Sequence, residues 1–299
     1  MDPRIVMVRR RTDYEALLIE HGTPQMAEYR LRQRGIDPMA LLLQHRTVTG
    51  AAERVLGQVP TTWRKSWVLR EDLDRFRFEA DDIVVGVGYD GLVPNVAKYL
   101  HGQPVVGVNP FDQPQRMMHF QPAQILQVYD ALTTPGRLPL ERRVMVEAEL
   151  DEGGSIVALN ELFVGHASHQ SARYDLRLAE QSEFQSSSGI IITTGTGATG
   201  WASSIAEATG LPAEELPEPT ADWGYFLVRE AWASPSTGTG LVRGKVGRQE
   251  GEVLKVTSKM QEGGLIFGDG IESDHLRFGW GQTARVRISE RALNLAVPG

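Results

Sequence analysis

The 299-residue chain contains no cysteine, which excludes disulfides, thiolate catalysis and cysteine-bound metals. It has no apolar run close to the roughly 20 residues that span a bilayer. Its charged N-terminus lacks the pattern of a secretory signal. An excess of positive charge is also missing, because the formal net charge is -7, which argues against nucleic acid and anionic membranes as partners. These absences predict a cytoplasmic protein.

The length and the 41% content of hydrophobic residues favour two domains with buried cores. From Pro3 to about Ala131, short apolar runs such as "RIVMV", "DIVVGVG" and "PVVGVN" alternate with helical patterns. One such pattern, "YEALLIEHGTPQMAEYRLRQRG", reads as a single helical stretch. This alternation predicts an α/β domain with a parallel sheet over residues 1–137.

After Leu138, apolar runs follow one another at short spacing with Gly, Pro and Ser between them. They include "SIVALNELFVG", "GIIITTG", "YFLVREAW" and "GGLIFGDG". This close spacing of apolar runs predicts a β-rich, sandwich-like domain over residues 138–299. Its last strand is able to return to the first domain. The stretch "GATGWASSIAEATG" is the one helical pattern that we identify there.

Two polar motifs interrupt apolar strands. In "GVGYDG", Asp90 sits in a glycine turn between a buried strand and a helix that begins near Leu92. Such a turn offers free N–H groups to a phosphate; the alternative is a plain turn in which Asp90 caps the helix. In "ALNELFVG", Asn160 and Glu161 lie inside an apolar run. Adjacent strand residues point to opposite faces, so at least one of them should face the interior or a cleft and need a polar partner; a bulge or a strand end in solvent is the alternative.

A third motif, "SSSGIIITTGTGATGWASSI" (186–205), interleaves threonine hydroxyls with glycines at a junction between a strand and a helix. Glycines admit a ligand close to the backbone, and hydroxyls both donate and accept hydrogen bonds. Within this motif, Trp201 follows the run from Thr193 to Gly200 and offers an aromatic surface, with a place in the core as the alternative. The run predicts a binding segment.

The ordered set "GYDG", "GVN", "LNE" and "SSGIIITTGTGATGW" resembles the NAD kinase family, and within it most closely the mitochondrial-type subgroup. The resemblance covers the chain from about Arg4 to Leu295. It implies phosphoryl transfer from ATP, or from polyphosphate, to the 2'-hydroxyl of the adenosine ribose of NAD(H), with the dinucleotide between the two domains. It also implies Mg2+ on the donor phosphates and a homodimer or tetramer.

The resemblance assigns roles residue by residue. Asp90 would orient or deprotonate the 2'-hydroxyl, and Gly88 and Gly91 would shape the phosphate-donor loop. Asn109 is a further candidate beside them. The positions that match the family's NAD pocket are Asn160, Glu161, Thr194, Thr196, Thr199, Gly200, Trp201 and Ser204. No residue is assigned as a metal ligand.

The glycine loop is degenerate. Where the family has Gly-Gly-Asp-Gly-Thr, this chain has Tyr89 in place of a glycine and Leu92 in place of the threonine. A tyrosine is strained at positive φ and can block a phosphate. Two alternatives therefore stay open: an NAD(P)(H)-binding homologue that acts as a sensor or scaffold with weak or no catalysis, and a relative of lipid or sphingoid-base kinases.

Overall fold

The computed structural model describes residues 3–132, 134 and 136–299. The chain forms two compact units: the first consists of Met1–Glu141 together with Asn294–Gly299, and the second of Arg142–Leu293. No helix among the described residues is both long and apolar enough to cross a membrane.

The first unit alternates strands with helices. Its elements are β1 (Arg4–Arg9), α1 (Asp13–His21), α2 (Pro24–Gln33), α3 (Pro38–Gly57), β2 (Arg64–Leu69), β3 (Asp82–Val87), α4 (Leu92–Ala97), β4 (Pro104–Val108) and α5 (Ile125–Leu132). The strands form a parallel sheet in the order β2-β1-β3-β4. Near the chain's end, Asn294 and Leu295 pair in parallel with the start of β4.

Both faces of this sheet are buried, as near-continuous apolar strands require. On one face, Ile5 and Val85 pack with Val55 of α3 and Tyr129 of α5. On the other face Val84 is also fully buried. The sheet positions the carboxyl ends of its strands, where ligands of open α/β sheets bind.

The predicted single helix after β1 is wrong, because two helices cover that stretch. Gly22 ends α1 at a φ of +76°, a conformation that glycine adopts at no steric cost. Thr23 then caps α2 by accepting the N–H of Met26, and Pro24 occupies its first position, where a missing N–H does no harm. The sequence therefore contained the signals that end one helix and begin the next.

The second unit is β-rich. Its elements are β5 (Leu140–Leu150), β6 (Ser155–Ala158), β7 (Glu161–His166), β8 (Ala172–Leu178), β9 (Gln181–Ser187), β10 (Ile190–Thr193), α6 (Trp201–Thr209), β11 (Gly224–Val228), β12 (Arg243–Val246), β13 (Leu254–Ser258), β14 (Gly264–Gly268), β15 (His275–Arg277) and β16 (Thr283–Ala296). One antiparallel sheet has the order β12-β11-β10-β7-β14-β15. Strands β16, β13, β8 and β9 form a second antiparallel layer.

The predicted fold class, an α/β unit followed by a β-rich unit, is confirmed. Of the two alternatives for "SIVALNELFVG", the structure has the strand end, because the run forms two strands, β6 and β7, separated by Leu159 and Asn160. Helix α6 lies against one face of the six-stranded sheet, where Trp201 and Ile205 contact Phe163 and Ile191. This helix and the broken strand frame the polar motifs of the second unit.

Candidate active site

The turn after β3 exposes backbone donors. Gly88 has a φ of +145°, which side-chain-bearing residues rarely adopt, and its N–H donates to the carbonyl of Val108 at 3.2 Å. Within the described part of the chain, the N–H groups of Tyr89 and Gly91 have no hydrogen-bond partner. Gly91 itself has an ordinary helical φ of -61°. Two unpaired amides thus lie on either side of Asp90.

The carboxylate of Asp90 is fixed by the chain segment that follows β4. One of its oxygens accepts the N–H of Arg116 and the other that of Met117, each at 2.9 Å. No side chain caps the following helix α4, so a capping role for Asp90 is wrong. Because a carboxylate oxygen has two acceptor sites, each oxygen keeps one for a further donor such as a hydroxyl.

Gln115 ties the turn to Asn109. Its side-chain oxygen accepts the N–H of Asp90 at 2.7 Å. Its side-chain nitrogen donates to the carbonyl of Gly88 at 3.2 Å and to the side-chain oxygen of Asn109 at 2.7 Å. Asn109 is buried and also accepts the N–H of Phe111. Asn109 therefore shapes the loop, and the part played by Gln115 was missed from the sequence.

Tyr89 fits the turn without backbone strain. Among the described residues other than glycine, only Ala179, Glu230 and Asp269 have positive φ, so Tyr89 meets no steric penalty. Its ring stacks on Phe111 with centroids 4.4 Å apart, and its hydroxyl accepts a hydrogen bond from Gln44 at 2.6 Å. Leu92 is buried against the strand.

A cavity of about 260 Å³ lies beside this turn, and we call it the arginine cavity. Its lining includes Arg10, Arg11, Arg70, Gln44, His45, Gly88, Tyr89, Gly91 and Asn95. The Nε of Arg70 is buried and has no hydrogen-bond partner among the described residues. Arg10 and Arg70 also lie 3.6 and 3.4 Å from the carboxylates of Asp13 and Glu71. Three guanidinium groups and two unpaired amides in one place still suit an anion such as a phosphate chain.

In the second unit, the N–H and carbonyl groups of both residues at the corner between β6 and β7 form hydrogen bonds. The carboxylate of Asp269 accepts the N–H groups of Leu159 and Asn160, at 3.0 and 2.7 Å. The hydroxyl of Thr194 donates to the carbonyl of Leu159 at 2.5 Å, and its N–H donates to that of Asn160 at 2.8 Å. We call Leu159 and Asn160 the clamped corner; it places the side chains of Asn160 and Glu161.

Glu161 is half-buried at the first position of β7. Burial, with a smaller contribution from the negative charge of Asp269, raises the pKa of Glu161 to about 7. Glu161 and Phe163 share one face of β7, because strand residues alternate. Thr193 pairs opposite Glu161 on β10. The site therefore contains a carboxyl group that changes charge near neutral pH.

The threonine- and glycine-rich segment between β10 and α6 contains residues that pack within the protein and residues that are available to a ligand. Thr194 is fully buried, and its hydroxyl is occupied by the clamped corner and by the N–H of Thr196 at 3.1 Å. A Cβ on Gly195 or Gly197 would collide with the backbone of Glu218 or Asn160. These glycines therefore serve packing within the protein.

Other residues of the segment remain available to a ligand. The hydroxyl of Thr196 is buried and has no hydrogen-bond partner in the described part of the chain, so it is able to bond to a ligand. Thr199, Gly200 and Ser204 are exposed, and Trp201 is half-buried.

An aromatic surface continues from Glu161 along the sheet. Phe163 lies nearly parallel to Trp201, with centroids 5.9 Å apart, and contacts Phe267 at 5.0 Å. The guanidinium of Arg229 lies 5.1 Å from the centre of a Trp201 ring. These residues line a cavity of about 490 Å³. A flat aromatic surface beside a cation can hold a planar, electron-rich group.

Two curated proteins are similar to this chain in sequence. No family model matches the chain. An NAD kinase of Thiobacillus denitrificans is 31% identical over 132 residues, which is 40% of this chain and 44% of that protein. An NAD kinase of Chlorobaculum tepidum is 29% identical over 126 residues, 41% of this chain and 44% of that protein. The match thus spans less than half the length of these curated relatives.

Solved structures align over nearly the whole chain. The crystal structure of an NAD kinase from Archaeoglobus fulgidus in complex with ATP covers 98% of this chain and 92% of that one, with a TM-score of 0.58 and 17% identity. Yeast NADH kinase complexed with NADH covers 100% and 84%, with a TM-score of 0.65 and 12% identity. This chain has the fold of the NAD kinases. The resemblance to NAD kinases is thereby confirmed for the fold, and the subgroup and the motif assignments stay predictions.

On this NAD kinase fold, one acidic cluster outside the motifs has the spacing of metal ligands. It consists of Glu79, Asp81 and Asp82. Arg4 donates two hydrogen bonds of 2.7 Å to Asp82, and Arg64 contacts both Glu79 and Asp81. Because two arginines already neutralise these carboxylates, the cluster is an ion-pair network and we assign no metal to it.

Proposed function

We propose that this chain is an NAD kinase-like phosphotransferase, which moves a phosphoryl group from ATP or polyphosphate to the 2'-hydroxyl of the adenosine ribose of NAD(H). The observation that carries the proposal is the turn after β3. There the Asp90 carboxylate is fixed between the unpaired amides of Tyr89 and Gly91, and the arginine cavity adjoins the turn. The similarity to NAD kinases in sequence and fold supports the same reaction.

Phosphoryl transfer needs positioning and charge neutralisation more than covalent help from the protein. In our proposal, Arg11 and Arg70 neutralise the donor phosphates and the amide of Gly91 donates to one of their oxygens. Asp90 accepts the proton of the attacking hydroxyl through the acceptor site that each carboxylate oxygen keeps.

Mg2+ fits these residues only as a companion of the donor. It usually binds one or two carboxylates and completes its coordination with substrate phosphates and water. The turn offers the Asp90 carboxylate and the arginine cavity that of Asp13, which is in keeping with this pattern. When bound, Mg2+ would neutralise charge that develops on the transferring phosphoryl group.

For the acceptor, we propose that Asn160 and Glu161 bind hydroxyl and ring-nitrogen groups of the dinucleotide. The unpartnered hydroxyl of Thr196 and the exposed Thr199, Gly200 and Ser204 would line the same pocket. The aromatic surface of Trp201 would receive one of its rings. Thr194 acts in our proposal through the clamped corner, since its hydroxyl is already occupied.

The test is NADP formation by purified protein with Mg2+, NAD and either ATP or polyphosphate. We expect product from wild type and a fall of roughly 100-fold or more in kcat for Asp90→Asn, the scale of general-base catalysis. The matched control is Asp112→Asn, since Asp112 is exposed nearby and accepts no hydrogen bond from any residue that the structure describes. An unchanged rate in Asp90→Asn would overturn the role of Asp90.

A second candidate is a dinucleotide-binding sensor that transfers phosphate slowly or not at all. Tyr89 and Leu92 favour it, because they replace a glycine and a hydroxyl of the family's loop. Binding of NAD by calorimetry without product from either donor would select this candidate. The related lipid-kinase reading is not favoured, since the relatives reported above are NAD kinases. The mitochondrial-type subgroup, the homodimer or tetramer and the cytoplasmic location stay predictions.

A further inference from the structure

The clamped corner depends on a residue that the motifs do not include. Its two N–H groups both donate to the carboxylate of Asp269, which lies 109 residues further along the chain from Asn160. Its two carbonyls accept from Thr194. All four backbone groups of Leu159 and Asn160 are therefore bound, which leaves the corner a single conformation.

Asp269 is itself held in an uncommon conformation. Its φ is +53°, which is costly for a residue other than glycine and least so for Asn and Asp. Its own N–H donates to the carbonyl of Glu161 at 3.0 Å. Asp269 therefore contacts three consecutive residues from Leu159 to Glu161, with its carboxylate on two amides and its amide on a carbonyl.

The same carboxylate acts on Glu161. Thr193 of β10, which does not titrate, pairs opposite Glu161, and Asp269, which directly follows β14, donates its N–H to the carbonyl of Glu161. Asp269 is the charged group that affects the proton affinity of Glu161, and it adds to the effect of burial. Two nearby carboxylates hinder each other's ionisation.

We propose that Asp269 is a positioning residue for dinucleotide binding, which holds the clamped corner and the first residue of β7, Glu161, in place. This inference rests on the proposed function for its ligand. It adds a residue that shapes the acceptor site from outside the polar motifs. Because burial and the charge of Asp269 raise the pKa of Glu161 to about 7, the affinity for NAD should also depend on pH in the neutral range.

Calorimetric titration of the full chain with NAD across pH 5.5 to 8.5 tests this inference. We expect Asp269→Asn to weaken binding by roughly tenfold, since a hydrogen-bonded charge is lost. Its pH midpoint should shift down by roughly half a unit or more, because the repulsion on Glu161 disappears. Asn keeps the volume and tolerates positive φ, so the backbone preference is preserved. The matched control is Asp151→Asn, where an exposed aspartate accepts one N–H, that of Thr283.

A second variant separates backbone strain from the carboxylate. Asp269→Gly relieves the positive φ but removes the acceptor, so it should weaken binding as Asp269→Asn does. Wild-type affinity in both variants would overturn the inference. So would an unchanged pH midpoint in Asp269→Asn, because a merely structural residue would lower affinity equally at every pH.

A ligand-free measurement keeps this inference distinct from the proposed function. The pH dependence of urea unfolding should change in Asp269→Asn and should stay unaffected by that substitution in a Glu161→Gln background. If wild type binds no NAD at any pH, the proposed function fails. The unfolding comparison still decides whether Asp269 affects the pKa of Glu161. Equal effects in both backgrounds would show that it does not.

Discussion

Replacing Glu161 by glutamine should make the stability of the protein less dependent on pH. Burial, with help from Asp269, raises the pKa of Glu161 from 4.5 to about 7 in the folded protein. The unfolded chain releases this proton near 4.5, whereas the folded protein keeps it up to about 7. The stability associated with protonated Glu161 is therefore fully present below the unfolded pKa of 4.5. It is lost as the pH rises through the folded pKa of about 7.

The size of the effect follows from the difference between the two pKa values. Each unit corresponds to about 1.4 kcal/mol. Between about pH 5 and pH 7.5, this one group should lower the free energy of unfolding of wild type by about 2 kcal/mol. Glutamine resembles the protonated form and cannot ionise, so Glu161→Gln lacks this decline and should exceed wild type in stability at the upper pH.

The assay is urea unfolding of wild type and Glu161→Gln at several pH values in this range. Glu183→Gln is a control of opposite sign, since hydrogen bonds from Gln185 and from the N–H groups of Gly240 and Leu241 lower the pKa of Glu183. Glu183→Gln should lose stability at neutral pH and little at low pH. A constant difference between Glu161→Gln and wild type across the range would refute the reasoning.

Three further substitutions test other parts of the site. Arg70→Gln should raise the KM for the phosphate donor by roughly tenfold, the scale of one charged contact, and leave the Kd for NAD unchanged; equal effects on both ligands would contradict the arginine cavity. Tyr89→Gly, which removes the stack on Phe111, should alter the donor KM in steady-state kinetics while Tyr89→Phe behaves as wild type; a large gain in kcat would instead show that the ring blocks the donor. Thr194→Val should lower the free energy of unfolding by about 1 to 3 kcal/mol, because a buried acceptor loses its donor, and Thr194→Ser should lower it by less; equal losses in urea unfolding would exclude the hydroxyl.

The fold was predictable because its signals are local. Apolar strands such as β3 and β4 alternate with helical patterns, and this alternation fixes an α/β layer whatever the distant contacts are. The texture changes after Leu138, close to the point where the second unit begins at Arg142. The helix boundary at Gly22 was overlooked, although its glycine, threonine and proline are ordinary stop and start signals.

The clamped corner was not predictable in the same way. Its apolar flanks read as one strand, and the residue that breaks the strand, Asp269, is remote in sequence. The glycines at 195 and 197 looked like openings for a ligand, yet they make room for the backbone of Glu218 and Asn160. Periodicity reports which residues face a core but not which distant backbone approaches them.

The positions of the polar motifs followed from the sequence more readily than their roles. Asp90 was placed correctly on a turn after a buried strand, whereas its bonds to Arg116 and Met117 depend on the packing of a separate loop. Arg229 and Gln115 carried no local signal, because each acts through a neighbour that the chain brings close only on folding.

The most direct test of the account is the rate of NADP formation from NAD, Mg2+ and ATP or polyphosphate, measured for wild type beside Asp90→Asn. The account predicts product from wild type with at least one donor and a loss of roughly 100-fold or more in the variant. No product from wild type with either donor, in a preparation that binds NAD, would contradict phosphoryl transfer as the function of this chain.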